Sequence, residues 1–123
     1  MSRIDISVRD KKSQKLIANR IFCRSSHLSL FCEESQDTQV RDFANTLSIG
    51  ADITNDNIED FLQNIEYTIS YLKKVDEGER ETVFYFYEEE LYVQFLDALE
   101  NSLVFLQSLY KEQDLQKLEV EIV

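Results

Sequence analysis

The chain has 123 residues, 43% of them apolar and 30% charged, with eight Phe and six Tyr; this is the composition of one globular domain over 1–123 that buries a core without staples, not of a disordered tail. Proline is absent and glycine occurs twice, which excludes Pro-rich linkers, Gly-rich phosphate loops and Gly/Ser tethers. The net charge of −11 divides into +5 over residues 1–24, where seven Lys/Arg oppose two Asp, and −16 over the rest, a body that repels nucleic-acid phosphates and anionic membranes and steers a basic partner inward.

The first residues, MSRIDISVRD, lack the apolar core of a signal peptide, and no apolar run approaches membrane-spanning length. With two cysteines, Cys23 and Cys32, the expected setting is a reducing cytoplasm.

Arg3 to Arg9 alternates strictly and puts Ile4, Ile6 and Val8 on one side of a strand. Asp10-Lys11-Lys12-Ser13 is a polar break suited to a hairpin loop, and Lys15 to Arg24 reads as a second strand, with helix as its rival. His27 to Glu33 puts Leu28, Leu30 and Cys32 on one face and completes an expected three-stranded meander. From Ser35 the period changes: Val40, Phe43, Ala44 and Leu47 predict a short helix, with Ser35 or Asp37 as N-cap and Gly50 just past its end. Asp56 and Glu59 form a capping-box pattern before a second helix, whose stripe is Ile58, Phe61, Leu62, Ile65, Ile69 and Leu72 and whose last turn holds Lys73 and Lys74. Glu81 to Tyr87 is aromatic and β-branched and reads as a fourth strand. Glu88-Glu89-Glu90 opens a third helix with the stripe Tyr92, Phe95, Leu96, Leu99, Leu103, Leu106 and Tyr110, and Lys117 to Val123 is a last alternating strand. The fold expected is α+β: a single-layer, mostly antiparallel sheet of about five strands, order β-β-β-α-α-β-α-β, packed against three helices, in which the fourth strand, third helix and fifth strand form a right-handed crossover if those two strands are parallel neighbours.

Little in the chain points to catalysis. His27 is the one histidine, and no Ser or Cys stands in a nucleophile-elbow context. Cys23, His27 and Cys32 are metal-ligand types, but only three, without paired short spacing, so core cysteines are the better reading and no cofactor or metal is expected. The carboxylates lie in polar runs and not in apolar sequence that would perturb their titration, so an acid–base pair is disfavoured and no enzyme is expected. A binding surface has a stronger argument. Tyr85, Tyr87 and Tyr92 offer rigid amphipathic anchors, and Glu79, Glu81, Glu88, Glu89 and Glu90 offer charge-assisted bonds to Lys and Arg of a partner. The competing reading of each tyrosine is a core or shell residue with its hydroxyl at the rim, and of the carboxylates a solvated face. The basic segment 1–24 has no interleaved aromatic nucleic-acid motif, and charge complementarity with the acidic body or another subunit suits it better.

In length, acidity, cytosolic character, α+β order and the aromatic–acidic stretch Phe84 to Tyr92, the chain resembles the small acidic immunity proteins that neutralise bacterial contact-dependent or secreted toxins. That resemblance implies a non-catalytic binder that occludes the active site of a cognate basic toxin, often a nuclease, with no direct contact to nucleic acid or membrane. The alternative is an acidic secretion chaperone or adaptor that holds a partner's segment as a dimer. Monomer or dimer stays open at this stage.

Overall fold

The computed structural model describes residues 2–84 and 87–123. Four antiparallel strands form one sheet in the order β2-β1-β4-β3: β1 Arg3–Asp10, β2 Leu16–Arg24, β3 Ala51–Ile53 and β4 Leu118–Ile122. Five α-helical segments accompany it: the single turns α1 Ser25–Leu28 and α4 Arg80–Val83, and the longer α2 Thr38–Ile49, α3 Ile58–Lys74 and α5 Glu89–Glu112. The fold is α+β with a single antiparallel sheet, as expected, but with four strands and with two extra helical turns.

Alternation does its work at β1 and β4. Ile4, Ile6 and Val8 face inward beside Leu118, Val120 and Ile122, all buried, while Asp5, Ser7, Glu119 and Glu121 line the outer face. Each such burial stabilises by roughly 1.5–3 kcal/mol. The β1–β2 hairpin turns on Asp10, whose Oδ1 accepts the Ser13 N–H at 2.8 Å and the Lys12 N–H at 3.0 Å. Those bonds, led by Ser13, hold the Asp10 carboxyl below its ordinary range.

The helical stripes also fall inward, except at Tyr110, which is exposed and donates its hydroxyl to Glu59 at 3.1 Å. Val40, Phe43, Ala44 and Leu47 of α2, Ile58, Phe61, Ile65, Ile69 and Leu72 of α3, and Phe95, Leu99 and Leu106 of α5 enter one core over the inner sheet face. Asp37 caps α2 by accepting from Gln39 N and Val40 N, and Ser35, the other candidate, accepts from Asp37 N one step earlier. The capping box expected at Asp56 and Glu59 is not formed. Asn57 precedes α3, and its side chain bonds Thr54 N at 2.8 Å and Asp52 O at 2.8 Å, tying the turn to β3 instead.

Three expectations need correction. His27 to Glu33 is no third strand: α1 runs into a π-turn, Ser29–Glu33, because His27, Leu28, Phe31 and Cys32 share a helical face that is buried. Glu81 to Tyr87 is no strand in its described part: Glu81 to Val83 belong to α4, and only Phe84 turns extended before 85–86, which lie outside the described residues. Among the described residues there is accordingly no crossover between parallel neighbours; β4 instead pairs antiparallel on both flanks, with β1 and with β3, a strand too short for its sequence to announce.

Candidate partner-binding site

In its described part, the acidic–aromatic stretch forms two helix ends braced by rings. Phe84 is buried, its ring edge-on to Phe31 at 5.1 Å, and the Tyr87 ring stacks on it at 6.1 Å. Tyr92 closes the cluster, 6.0 Å from Phe31 and from Phe84 and 5.9 Å from Tyr87. Below it, Phe95 stacks on Phe31 at 5.4 Å. Such pairs contribute about 0.5–1.5 kcal/mol each beyond the area they bury.

Arg80 ties this cluster to the charges. Its guanidinium lies 4.2 Å from the centre of the Tyr92 ring and approaches the Glu89 carboxylate at 3.3 Å. Tyr87 donates to Glu89 in turn, and its phenol is raised above the ordinary range by burial and by that carboxylate. The Tyr87 hydroxyl and the neighbouring rings and carboxylate keep Arg80 firmly protonated. The sequence carries a signal for this residue: Arg80 is the one cation among seven carboxylates from Asp76 to Glu90.

The expected site residues therefore separate. Glu79, Glu81, Glu88 and Glu90 are exposed, the first two at the Gly78 turn and α4, the others at the start of α5, where the helix dipole favours them. Glu89 is exposed but holds Arg80 and Tyr87, so its charge is partly spent inside the chain. Tyr87 is half-buried. Tyr92 is corrected from surface anchor to interior residue: it is 3% exposed, and its hydroxyl donates to the Leu72 carbonyl at 2.7 Å. Tyr85 lies outside the described residues.

Beside the cluster opens a hollow of about 360 Å³, floored by Phe31 and Phe84 and walled by Leu30, Tyr71 and Val83. Glu33 and Glu34 stand on its rim. Glu33 is oriented by the Ser29 hydroxyl at 3.0 Å and the Ser48 hydroxyl at 2.9 Å, and Glu34 is exposed. An apolar floor under carboxylates suits a Lys or Arg side chain, whose methylenes cover rings while its head group meets charge. No family model, curated protein or solved structure matches this chain.

The groups weighed for catalysis sit elsewhere. Cys23 and Cys32 are free and buried, one on β2 and one in the π-turn, and burial pushes the Cys23 thiol up to about 12 and raises Cys32 as well. His27 is buried with its ring edge-on to Phe95 at 6.4 Å, and burial, aided by the charge of Arg24, lowers its pKa. A histidine kept neutral in the folded state binds its proton more readily when unfolded. Its contribution to stability is therefore complete above the unfolded value near 6.5 and declines as pH falls toward the lower folded value. The urea midpoint is expected to drop from pH 7 to pH 5.5 more steeply for the wild type than for His27→Phe; parallel pH profiles would contradict this assignment. Among the described residues, no helix is long and apolar enough to cross a membrane.

Proposed function

We propose that the chain is a non-catalytic inhibitor of the immunity-protein kind, which covers the cationic cleft of a basic toxin, a nuclease by the charge argument, with its acidic face. The observation that carries this reading is the set of exposed carboxylates Glu79, Glu81, Glu88 and Glu90 around a braced aromatic cluster, beside a hollow rimmed by Glu33 and Glu34. A cleft built for nucleic-acid phosphate presents Lys and Arg, and a rigid surface of opposite sign accelerates their capture without ordering cost at the moment of contact. The pinning of Arg80 by Glu89 serves the same end, because it holds both carboxylate-bearing segments in one geometry.

The test is co-expression with a candidate basic nuclease toxin, followed by purification of the complex and a salt titration. The chain is expected to restore growth and to bind one to one, with association slowing as salt rises. Reversal of Glu79, Glu81 and Glu88 to Lys is expected to weaken binding by at least roughly tenfold. Glu89→Gln is expected to act through loosening of Arg80 and so to lower thermal stability as well. Tight binding that ignores the triple reversal would remove this surface from consideration.

A further inference from the structure

A second surface, of opposite sign, is built from other residues. β2 is an edge strand of nine residues, paired to β1 on one side and joined by no strand on the other among the described residues. Leu16, Ile17 and Ile21 are exposed on it at 47%, 56% and 53%, an unusual load of apolar surface for an open edge. Next to it runs a groove of about 780 Å³ between β2 and α5, lined by Arg20, Ile21, Ser102, Val104 and Phe105 among others. Its β2 side carries the cation Arg20, with Lys15 just before the strand, and its α5 wall of Asn101, Ser102, Val104, Phe105 and Ser108 is uncharged. Arg20 is held in place, its guanidinium 4.8 Å from the centre of the Phe105 ring.

We propose that the β2 edge and the α5 wall form a strand-addition site for an extended acidic segment of a partner protein, in which carboxylates alternate with β-branched residues. Main-chain groups of the incoming strand pair with the open side of β2 as far as Ile21, since the Phe22 carbonyl already accepts the Ser102 hydroxyl; its carboxylates, on the inner face, meet Arg20, which stands opposite Ile6, and its apolar residues, on the outer face, cover Ile21, which stands opposite Asp5. The fold already contains this pairing once. On the far side of β1, Leu118-Glu119-Val120-Glu121-Ile122 pairs as β4, and Glu119 stands opposite Arg9. A second copy of the chain is the weaker occupant, because an antiparallel β2–β2 pair brings the edge that carries Lys15 and Arg20 against a copy of itself, and like charges across a ladder are destabilising. Those cations guard the edge against self-pairing, and the same charges admit an acidic strand. Single-stranded nucleic acid is also disfavoured: the groove's aromatic, Phe105, is covered by Arg20, and the body beyond residue 24 carries −16.

The test is titration of the isotope-labelled full chain with a nine-residue Glu/Val alternating peptide, matched to the length of β2. Saturable shifts confined to residues 15–24 and 101–108 are expected, with affinity falling roughly tenfold in Arg20→Glu and several-fold in Ile21→Asp, two exposed positions whose variants are checked for folding by circular dichroism. A Lys/Val peptide is expected not to bind. Absence of saturable shifts, equal binding of the Lys/Val peptide, preference for an oligo-dT of equal charge, or concentration-dependent pairing of the chain with itself through β2 would each overturn the proposal. None of these readouts involves Glu79, Glu81 or Glu88, so the fate of the acidic face is judged separately.

Discussion

Phe95→Ala is expected to destabilise the fold by about 3–5 kcal/mol. Phe95 is fully buried and meets two rings from the α1–π-turn segment, Phe31 stacked at 5.4 Å and His27 edge-on at 6.4 Å. Truncation leaves a void that Phe31 cannot fill without dragging Phe84 and Tyr92, to which it is packed edge-on. For a domain whose total stability is about 5–15 kcal/mol, such a loss brings the chain close to unfolding at 37 °C. Phe95→Leu keeps most of the volume and is expected to cost only a fraction of this. Denaturant unfolding measures both, and because the rings share one contact network, Phe95→Leu and Phe31→Leu are expected to combine non-additively. An Ala variant within about 1 kcal/mol of wild type would mean that the cluster is not packed as described.

The consequence for binding follows from the same rings. Phe31 and Phe84 floor the hollow beneath Glu33 and Glu34, so a core change at Phe95 reaches the candidate surface through them. A stability-matched comparison separates the two effects. Phe95→Leu is expected to retain the salt-dependent association set by exposed carboxylates while shortening the lifetime of the complex.

Periodic segments were legible in the chain and ambiguous ones were not. β1 and β4 alternate over their whole length with one face buried, and α2, α3 and α5 carry apolar stripes of several turns, so each declared its type. His27 to Glu33 satisfies two periods at once: Leu28, Leu30 and Cys32 alternate, while Leu28, Phe31 and Cys32 step as a helix does. Tertiary packing against Phe95 and Phe84 favours the second. At Glu81 to Val83, β-propensity is overridden by a helical turn that sets Arg80 beside Tyr92 and Glu89 and delivers Phe84 to Phe31. The exposure of Glu79, Glu81, Glu88 and Glu90 follows from their polar surroundings. The burial of Tyr92 was signalled by its place in the Tyr92–Phe95–Leu99 stripe, a stronger cue than its amphipathic chemistry. What no local pattern contains is partner choice, such as the capture of Glu89 by Arg80 nine residues away, and the three-residue β3.

Gly50→Ala is expected to be the most damaging single-methyl addition in the chain, costing about 2–3 kcal/mol and lowering Tm by roughly 10 °C. Two independent constraints meet there. Gly50 ends α2 with its N–H bonded to the Thr46 carbonyl at 3.0 Å, at φ +98° and ψ 156°, a conformation that side-chain-bearing residues rarely enter. A Cβ at that position would also stand 2.9 Å from the Ile122 carbonyl oxygen, main chain that cannot swing away because Ile122 pairs with Ala51 on one side and Ile6 on the other. Relief requires α2 or β3 to move, and β3, the short edge strand, is the element with least to hold it. Hydrogen exchange in the variant is accordingly expected to quicken first at Ala51–Ile53, before the α3 and α5 amides. Gly78→Ala is the control: no atom lies within 4 Å of its added carbon, its φ is not in the glycine range, and the stiffer unfolded chain is expected to leave stability unchanged or raised by about 0.4–1 kcal/mol. Equal Tm values for the two variants would show that the α2–β3 corner does not depend on the backbone conformation and close approach found at Gly50.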